Sequence, residues 1–335
     1  MMHFPTRRAV LGTASALTLL ALTACGNVAA SSNNAGSAKY PSGPVSLTVG
    51  QAAGGSTDLI ARAVAEGSSK TLGAPMPVVN KPGANGALAT KEVAGKPADG
   101  QNLLLITASL VTITPLAVKP EEAVNIDDLD IIAGLSQDDY VLVASQGSGF
   151  KSIKDLTGAG RNITFGTTGV GTGSQLAQKV LFKQANVQGT DVPFDSGKPA
   201  LTAVLGNQVE VTTIQLGEAM AQIQAGKIAP LLVFSEERNS FLPDVPTAKE
   251  SGFDVPVAQY RAIAAPKGTP KEVKDKLLAS FQETFKSDAY KEFNKKNMLT
   301  PKETSGEEVV TQWKDYAAKY KALVEKYNIS LAGAK

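Results

Sequence analysis

Short apolar runs separated by small and polar turns dominate the chain after residue 44. Seven runs have the length and composition of strands, and they cover residues 45–49, 103–106, 130–133, 141–144, 162–165, 209–211 and 228–234. Stretches with helical spacing follow them. This alternation predicts an α/β fold, and about 300 residues exceed one typical domain, so we expect two domains.

Two helices near the carboxyl terminus carry start signals. Thr269, Pro270 and Glu272 predict an N-cap, a proline at the first helical position and a capping-box glutamate, and Ser305 with Glu308 repeats the capping box. In the last helix one face collects Val309, Trp313, Tyr316, Ala317, Tyr320, Leu323 and Val324. We interpret that face as core packing rather than as a binding site.

Residues 1–24 have the composition of an export signal. Arg7 and Arg8 precede an apolar run that is shorter than the roughly 20 residues of a membrane-spanning helix. Small residues before Cys25 and a glycine after it form a lipobox, so we predict cleavage and acylation at Cys25. The alternative is a conventional signal with an accidental cysteine. The paired arginines leave the twin-arginine and general export routes both open.

The amino-acid composition argues against several classes of function. The chain has 33 basic and 31 acidic residues and one histidine, His3, which would leave with the signal together with Arg7 and Arg8. The balanced mature charge argues against a nucleic-acid surface. Without histidine, and with Cys25 acylated, neither a Ser-His-Asp or Cys-His site nor a zinc site with His or Cys ligands can form. We therefore expect no metal and no cofactor. Residues 25–40 are rich in Ala, Ser, Asn and Gly and predict a flexible tether.

Two glycine-rich turns open predicted helices, at the strand ends where ligands of open α/β sheets bind. In the first, over residues 51–58, Ser56 or Thr57 can cap a helix whose free N–H groups favour an anion. Asp58 could equally complement the helix dipole or contact a ligand. The second, over residues 166–175, resembles a dinucleotide loop but has Ser174 where the third glycine belongs. It suits a carboxylate, although a purely structural turn stays open.

Weaker candidates have the same placement, and each alone could be a simple cap. They are Thr107 and Ser109, Asp195 with Ser196 and Gly197, and Gln215 with Glu218. Together they come from both halves of the chain, which suits a cleft.

Seven motifs in order resemble the receptor family of tripartite tricarboxylate transporters, the Bug-type periplasmic receptors. They lie at residues 40–44, 54–58, 79–86, 97–100, 206–210 with 223–227, 242–247 and 264–270. The resemblance runs from Tyr40 to about Ile329. It implies a two-domain periplasmic-binding-protein-like clamp of the Venus flytrap type with two hinge crossings, near Ala144 and Gln259. Domain 1 would comprise residues 41–143 plus 259–335, and domain 2 residues 144–258.

The resemblance also implies how a carboxylate ligand is held. The first turn would hold one end through Gly54, Gly55 and Ser56, and the second turn the other end through Thr167, Gly169, Gly171 and Thr172. Gln51 and Gln175 replace a common aromatic residue and a frequent histidine, and Ile214 replaces a frequent aspartate, so the ligand itself is not transferable. The two glutamines indicate an additional hydrogen-bonding group on the ligand.

Tyr260 and Arg261 are similar to the aromatic-arginine pair of the tricarboxylate-like branch, which favours a di- or tricarboxylate. The alternative is that Arg261 only pairs with an acid such as Glu218. The resulting hypothesis is a monomeric, lipid-anchored, extracytoplasmic binding protein that is not an enzyme and that delivers a small carboxylate to integral-membrane permease subunits. A sensor or an enzyme on the same clamp is the alternative hypothesis.

Overall fold

Nine strands and ten α-helices alternate along residues 40–332, the part of the chain that the computed structural model describes. The strands are β1 (Ser46–Val49), β2 (Val78–Asn80), β3 (Asn102–Thr107), β4 (Leu129–Ser145), β5 (Ile163–Thr167), β6 (Gly189–Pro193), β7 (Val211–Gln215), β8 (Ile228–Val233) and β9 (Ala258–Pro266). The helices are α1 (Ser56–Leu72), α2 (Ala87–Ala94), α3 (Ala108–Thr112), α4 (Ile153–Thr157), α5 (Gly173–Gln184), α6 (Gly197–Leu205), α7 (Leu216–Gln224), α8 (Lys271–Lys286), α9 (Asp288–Lys296) and α10 (Gly306–Lys326). The predicted α/β alternation is therefore confirmed.

The predictions for the amino terminus fall almost entirely on residues before Tyr40, where the description of the structure begins. The export signal, Cys25 and all of the tether except Tyr40 lie outside the described residues. Between residues 40 and 332, none of the helices combines the length and the apolar character that a bilayer crossing demands.

Two lobes share one long strand. In lobe 1, β1 is parallel to β2 and β3, and β9 runs antiparallel between β3 and the first part of β4. In lobe 2, the second part of β4 runs antiparallel to β7 and β8, and β5 is parallel to β6 and β7. Strand β4 changes partners between Asp139, which lies opposite Ala258 of β9, and Tyr140, which lies opposite Gln215 of β7. The chain thus enters lobe 2 inside β4 and returns at the start of β9.

Each lobe packs apolar side chains on both faces of its strands. Leu103 and Leu105 of β3 join one buried cluster of lobe 1, while Leu104 and Ile106 join another. Alternate residues of a strand point to opposite faces, so β3 is covered by helices on both sides. This explains why its sequence is a continuous apolar run rather than an alternating one.

The hinge strand was predicted as two separate strands, over 130–133 and 141–144, and this prediction was wrong. The intervening residues include buried polar side chains, Ser136 and Asp138, which the pattern analysis took as an interruption. Their hydrogen bonds at the hinge allow the strand to continue. Strand β7 begins at Val211 rather than ending there, and β2, β6 and β9 were not predicted.

The two helix-start predictions had different outcomes. Helix α8 begins at Lys271 with Pro270 as its cap residue, and the Thr269 hydroxyl donates instead to the Pro266 carbonyl at 2.7 Å. The capping box of α10 is confirmed, because Ser305 N–H donates to Glu308 Oε2 at 2.9 Å and Glu308 N–H donates to Ser305 Oγ at 3.3 Å.

Replacing Ser305 by Ala should lower the free energy of unfolding by about 1 kcal/mol, because the first turn of α10 loses its side-chain acceptor. Urea denaturation measures this change. The exposed Thr311 in the same helix provides the control, and Thr311→Ala should change stability by less than about 0.5 kcal/mol. An equal loss in both variants would show that the cap contributes nothing specific.

Candidate ligand-binding site

A cavity of about 310 Å³ lies between the two lobes. Its size is near the lower end of small-molecule sites, which span roughly 300–1,000 Å³. The predicted site residues that line it are Gln51, Gly55, Ser56, Thr107, Ser109, Gly169, Thr172, Asp195, Gln215, Glu218 and Arg261. Both glycine-rich turns therefore reach the same cavity from opposite lobes.

The amino-terminal ends of four helices meet at this cavity. They belong to α1, α5, α6 and α7, whose cap residues Gly55, Thr172, Ser196 and Gln215 all line it. The first N–H groups of each helix lack partners within the helix, and the helix dipole places partial positive charge there. The cavity therefore favours an anion even though it holds few cationic side chains.

Strand alternation decides which hinge residues face the cavity. Tyr140, Gln259 and Arg261 line it, whereas Tyr260 does not, because neighbours in a strand point to opposite faces. Tyr260 was expected beside Arg261 in the site, and it lies instead behind the hinge strands. The Tyr140 hydroxyl donates to Gln259 Oε1, which joins the two strands on the cavity side.

Arg261 lies at the centre of the hinge and is only 1% exposed. Its Nη1 forms an ion pair with the Asp138 carboxylate and donates to Ser136 Oγ at 3.0 Å. Its Nε donates to Thr57 Oγ1 at 3.0 Å, and its Nη2 donates to Ser56 Oγ at 2.7 Å. A guanidinium has five N–H donors, so these contacts leave one Nη2 hydrogen for the cavity.

The acid that Arg261 pairs with is Asp138, not Glu218. Burial raises the pKa of Asp138, and the attraction of Arg261 together with the Thr300 N–H, 2.8 Å from Asp138 Oδ1, opposes that rise. Arg261 is therefore not the free cation that the sequence comparison implied. Its charge is offset at the hinge, and it acts on the first turn through Ser56 and Thr57.

Glu218 bridges the two lobes. Its Oε1 accepts a hydrogen bond of 2.8 Å from the backbone N–H of Ser56, at the start of α1. It also lies against the start of α6, where a Cβ at Gly197 would come within 1.5 Å of Glu218 Oε2. A carboxylate of the protein therefore already uses one of the N–H donors that the sequence analysis assigned to the ligand.

The opposite side of the cavity is bridged as well. Asn85 Nδ2 and Thr114 Oγ1 of lobe 1 donate to the Gly171 carbonyl of lobe 2 at 3.3 and 3.1 Å. Gly171 does not line the cavity, and its φ of 71° with a close approach to Thr114 requires a glycine. Its role is to join the lobes.

Asp58 and Gln175 occupy equivalent places in the two turns, at the third residue of α1 and α5. The Gly54 N–H donates to Asp58 Oδ2 at 2.9 Å, and the Gly171 N–H donates to Gln175 Oε1 at 2.8 Å. Each side chain thus closes its own turn instead of lining the cavity. Gly54 likewise does not line the cavity, and its N–H is used by Asp58. Ser56 or Thr57 was predicted to cap α1. The cap residue is instead Gly55, which has no side-chain acceptor.

Further hydrogen bonds hold the side chains of Asp58 and Gln175 in these positions. Asp191 accepts from Gln175 Nε2 at 2.6 Å and from Thr167 Oγ1 at 3.1 Å, which holds Thr167 away from the cavity. Asp58 is 2% exposed and accepts from Arg62 and Asn80, each at 2.9 Å. Burial by itself would raise the pKa of Asp58, but these hydrogen bonds outweigh it and hold the pKa below its ordinary value.

Three lining residues were not proposed as ligand contacts from the sequence: Asn85, Tyr140 and Gln259. Ser196 and Gly197, weaker candidates beside Asp195, line the cavity as well. Asn85 lies in a turn that was used only to identify the family. That Tyr140 and Gln259 face the cavity can be deduced from strand alternation, once Arg261 is known to face it.

The chain is similar to proteins of known family. The family model described as the tripartite tricarboxylate transporter family receptor matches residues 60–329. A protein from the TAR-I ttuE-ttuC′ intergenic region of Agrobacterium vitis is 33% identical over 256 residues, which cover 74% of this chain and 72% of that protein. The structure of the periplasmic binding protein BugD has a TM-score of 0.81 at 30% identity and covers 88% of this chain and 100% of its own.

A third comparison includes a ligand. MatC from Rhodopseudomonas palustris, solved with bound malate, has a TM-score of 0.80 at 25% identity and covers 85% of this chain and 100% of its own. Together these matches confirm the predicted two-domain periplasmic-binding-protein fold.

Replacing Asp58 by Asn should destabilise the protein by about 1–2 kcal/mol at pH 7, because Gly54 and Arg62 lose a charged acceptor. The folded-state pKa of Asp58 is below its unfolded value, so its contribution is present above about pH 4 and is lost as the pH falls. The difference between variant and parent should therefore shrink in acid. Urea denaturation at several pH values measures it, with Asp128→Asn at an exposed position as the control. A difference that does not depend on pH would contradict the assignment.

Replacing Arg261 by Ala should cost about 3–5 kcal/mol of stability, because Asp138 is left buried without its partner. Adding Asp138→Ala should restore part of that loss. Chemical denaturation of the parent, both single variants and the double variant gives the coupling energy. Strictly additive losses would mean that the ion pair does not hold the hinge together.

Proposed function

Because the chain belongs to the tripartite tricarboxylate transporter receptor family, we propose that it is an extracytoplasmic solute-binding lipoprotein that captures a small carboxylate between its lobes. It passes this ligand to the integral-membrane permease subunits of a tripartite tricarboxylate-type transporter. It acts as a monomer without a cofactor and releases the ligand chemically unchanged.

The observation that carries this proposal is the meeting of four helix starts at one cavity between two lobes. Partial positive charge from α1, α5, α6 and α7 supports an anionic ligand. Residues of both lobes line the cavity, so a ligand there would touch both sides of the hinge. This is the arrangement that a capture-and-release receptor requires.

Two unpaired side-chain atoms define the ligand further. Gln51 Oε1 and Gln215 Nε2 are buried and lack a hydrogen-bond partner among residues 40–332, and both residues line the cavity. Buried polar atoms without partners cost free energy, which a ligand can recover. Gln215 Nε2 can donate to a carboxylate, and Gln51 Oε1 can accept from a hydroxyl. We therefore propose a hydroxycarboxylate.

The charges of the cavity limit how many carboxylates fit. Asp195 and Glu218 line it, while the charge of Arg261 is offset by Asp138. Arg261 thus no longer supplies a reason for three carboxylates. A dicarboxylate is supported by the malate bound to MatC, and the volume of about 310 Å³ suits a molecule of that size. We propose a hydroxy-dicarboxylate such as malate.

Calorimetry of the purified chain should give one malate per protein, bound about tenfold more tightly than succinate, which lacks the hydroxyl. Gln51→Ala should remove this preference without abolishing binding. Chromatography after prolonged incubation should recover malate unchanged. Absence of binding by malate, succinate, citrate and lactate alike would overturn the carboxylate proposal, and conversion of malate would favour an enzyme.

Cys25→Ala should move the protein from the membrane fraction to the soluble fraction, because an acylated Cys25 would be its anchor. Fractionation followed by immunoblotting measures this, with Ser31→Ala in the proposed tether as the matched control. Retention of the Cys25 variant in membranes at the level of the parent would refute lipid anchoring through that residue.

A further inference from the structure

A second cavity, of about 600 Å³, lies behind the hinge strands, and we call it the rear cavity. Gln137 and Asp139 of β4 and Tyr260 of β9 form one wall, and α10 forms another through Tyr316 and Tyr320. Lobe 2 completes it with residues 234–236, Asp254, Pro256 and Val257.

The rear cavity and the interlobe cavity share the hinge strands. Tyr140, Gln259 and Arg261 face the interlobe cavity, whereas Asp139, Ala258 and Tyr260 face the rear one. This follows from the alternation of side chains along β4 and β9. An occupant of the rear cavity would therefore contact the segment where β4 changes lobes.

Three tyrosines give the rear cavity an aromatic wall. The ring centroids of Tyr260 and Tyr316 are 4.7 Å apart and their hydroxyls are 2.8 Å apart, while Tyr316 and Tyr320 are 5.9 Å apart. From its sequence, this face of α10 is predicted to be core packing. That holds for Val309 and Trp313, which are buried, but Tyr316 and Tyr320 line the cavity.

Polar groups without partners point to a hydrogen-bonding ligand. The Tyr320 hydroxyl, on a side chain only 3% exposed, has no hydrogen bond of good geometry among residues 40–332, and its nearest backbone donor is Ala258. The Ser235 hydroxyl, on a partly buried side chain, likewise has no hydrogen bond of good geometry and lies beside the Asp139 carboxylate. Asp139 is half-buried, and its carboxylate accepts a hydrogen bond of 2.8 Å from Asn239 and is also close to the Ser235 hydroxyl. Burial raises the pKa of Asp139, which a nearby cation would counteract.

The sign of the ligand charge follows from the lining. Of the described residues that line the rear cavity, Asp139 is the one charged residue that is partly buried. The other four are exposed, and their two negative and two positive charges cancel: Glu236, Asp254, Lys319 and Lys326. The ammonium of Lys319 lies 5.7 Å above the Tyr316 ring, so that aromatic face already attracts a cation.

We propose that the rear cavity binds a small primary ammonium compound with an aromatic or apolar body. The ammonium group donates to the Asp139 carboxylate and to the hydroxyls of Ser235 and Tyr320. The body packs against the tyrosine rings, where aromatic and cation-π contacts add to apolar burial. This site is independent of the carboxylate proposed for the interlobe cavity.

Calorimetry of the purified chain with 2-phenylethylamine at pH 7 tests the proposal. Saturable binding at one site per chain is expected, and 3-phenylpropionate, which replaces the ammonium by a carboxylate, should not bind there. Asp139→Asn should weaken binding at least tenfold, whereas Asp254→Asn, which removes an exposed rim charge, should change it less than twofold. No saturable binding, equal binding of 3-phenylpropionate, or equal losses in the two variants would overturn the proposal.

Tyr320→Phe provides a second variant in case Asp139→Asn fails to fold. It keeps the ring and removes the unpaired hydroxyl, so stability should be retained while 2-phenylethylamine binding falls severalfold. Unchanged affinity in this variant would overturn the placement of the ammonium group beside Tyr320.

Discussion

The guanidinium of Arg261 is buried at the point where both hinge strands pass between the lobes, and its ion pair with Asp138 links β9 to β4. The same group donates to the hydroxyls of Ser56 and Thr57 and so fixes the start of α1. A buried ion pair contributes little to stability by itself, but removing one partner is costly. The position of the first turn relative to the hinge therefore depends on this pair.

With the first turn fixed, the electrostatics of the interlobe cavity come mainly from the backbone. Helix starts supply partial positive charge that needs no counter-ion and hardly changes with pH, whereas side-chain cations would have to be desolvated. Glu218 uses one of these donors and joins the lobes by doing so. The carboxylate ligand that we propose would therefore share the cavity with a carboxylate of the protein, which would restrict how much negative charge the ligand can bring.

Sequence patterns predicted the parts of the fold that depend on local chemistry. The capping box at Ser305 and the glycine-rich turns are local signals, and the structure contains them. What sequence could not give was the partner of each buried polar group. Asp58 and Gln175 have the residue types of ligand contacts, yet each closes its own turn by accepting a hydrogen bond from a turn N–H, that of Gly54 and that of Gly171.

The same limitation explains the treatment of β4. Ser136 and Asp138 interrupt an apolar pattern, so periodicity divides the strand, although their hydrogen bonds with Arg261, which is distant in sequence, keep the strand continuous. Once β4 and β9 are recognised as paired, their alternation assigns every hinge residue to one of two faces. Arg261 then belongs to the interlobe cavity, and Tyr260 must belong to the rear cavity. A two-stranded hinge can thus carry a cavity on each side, with Arg261 on one face and Tyr260 on the other.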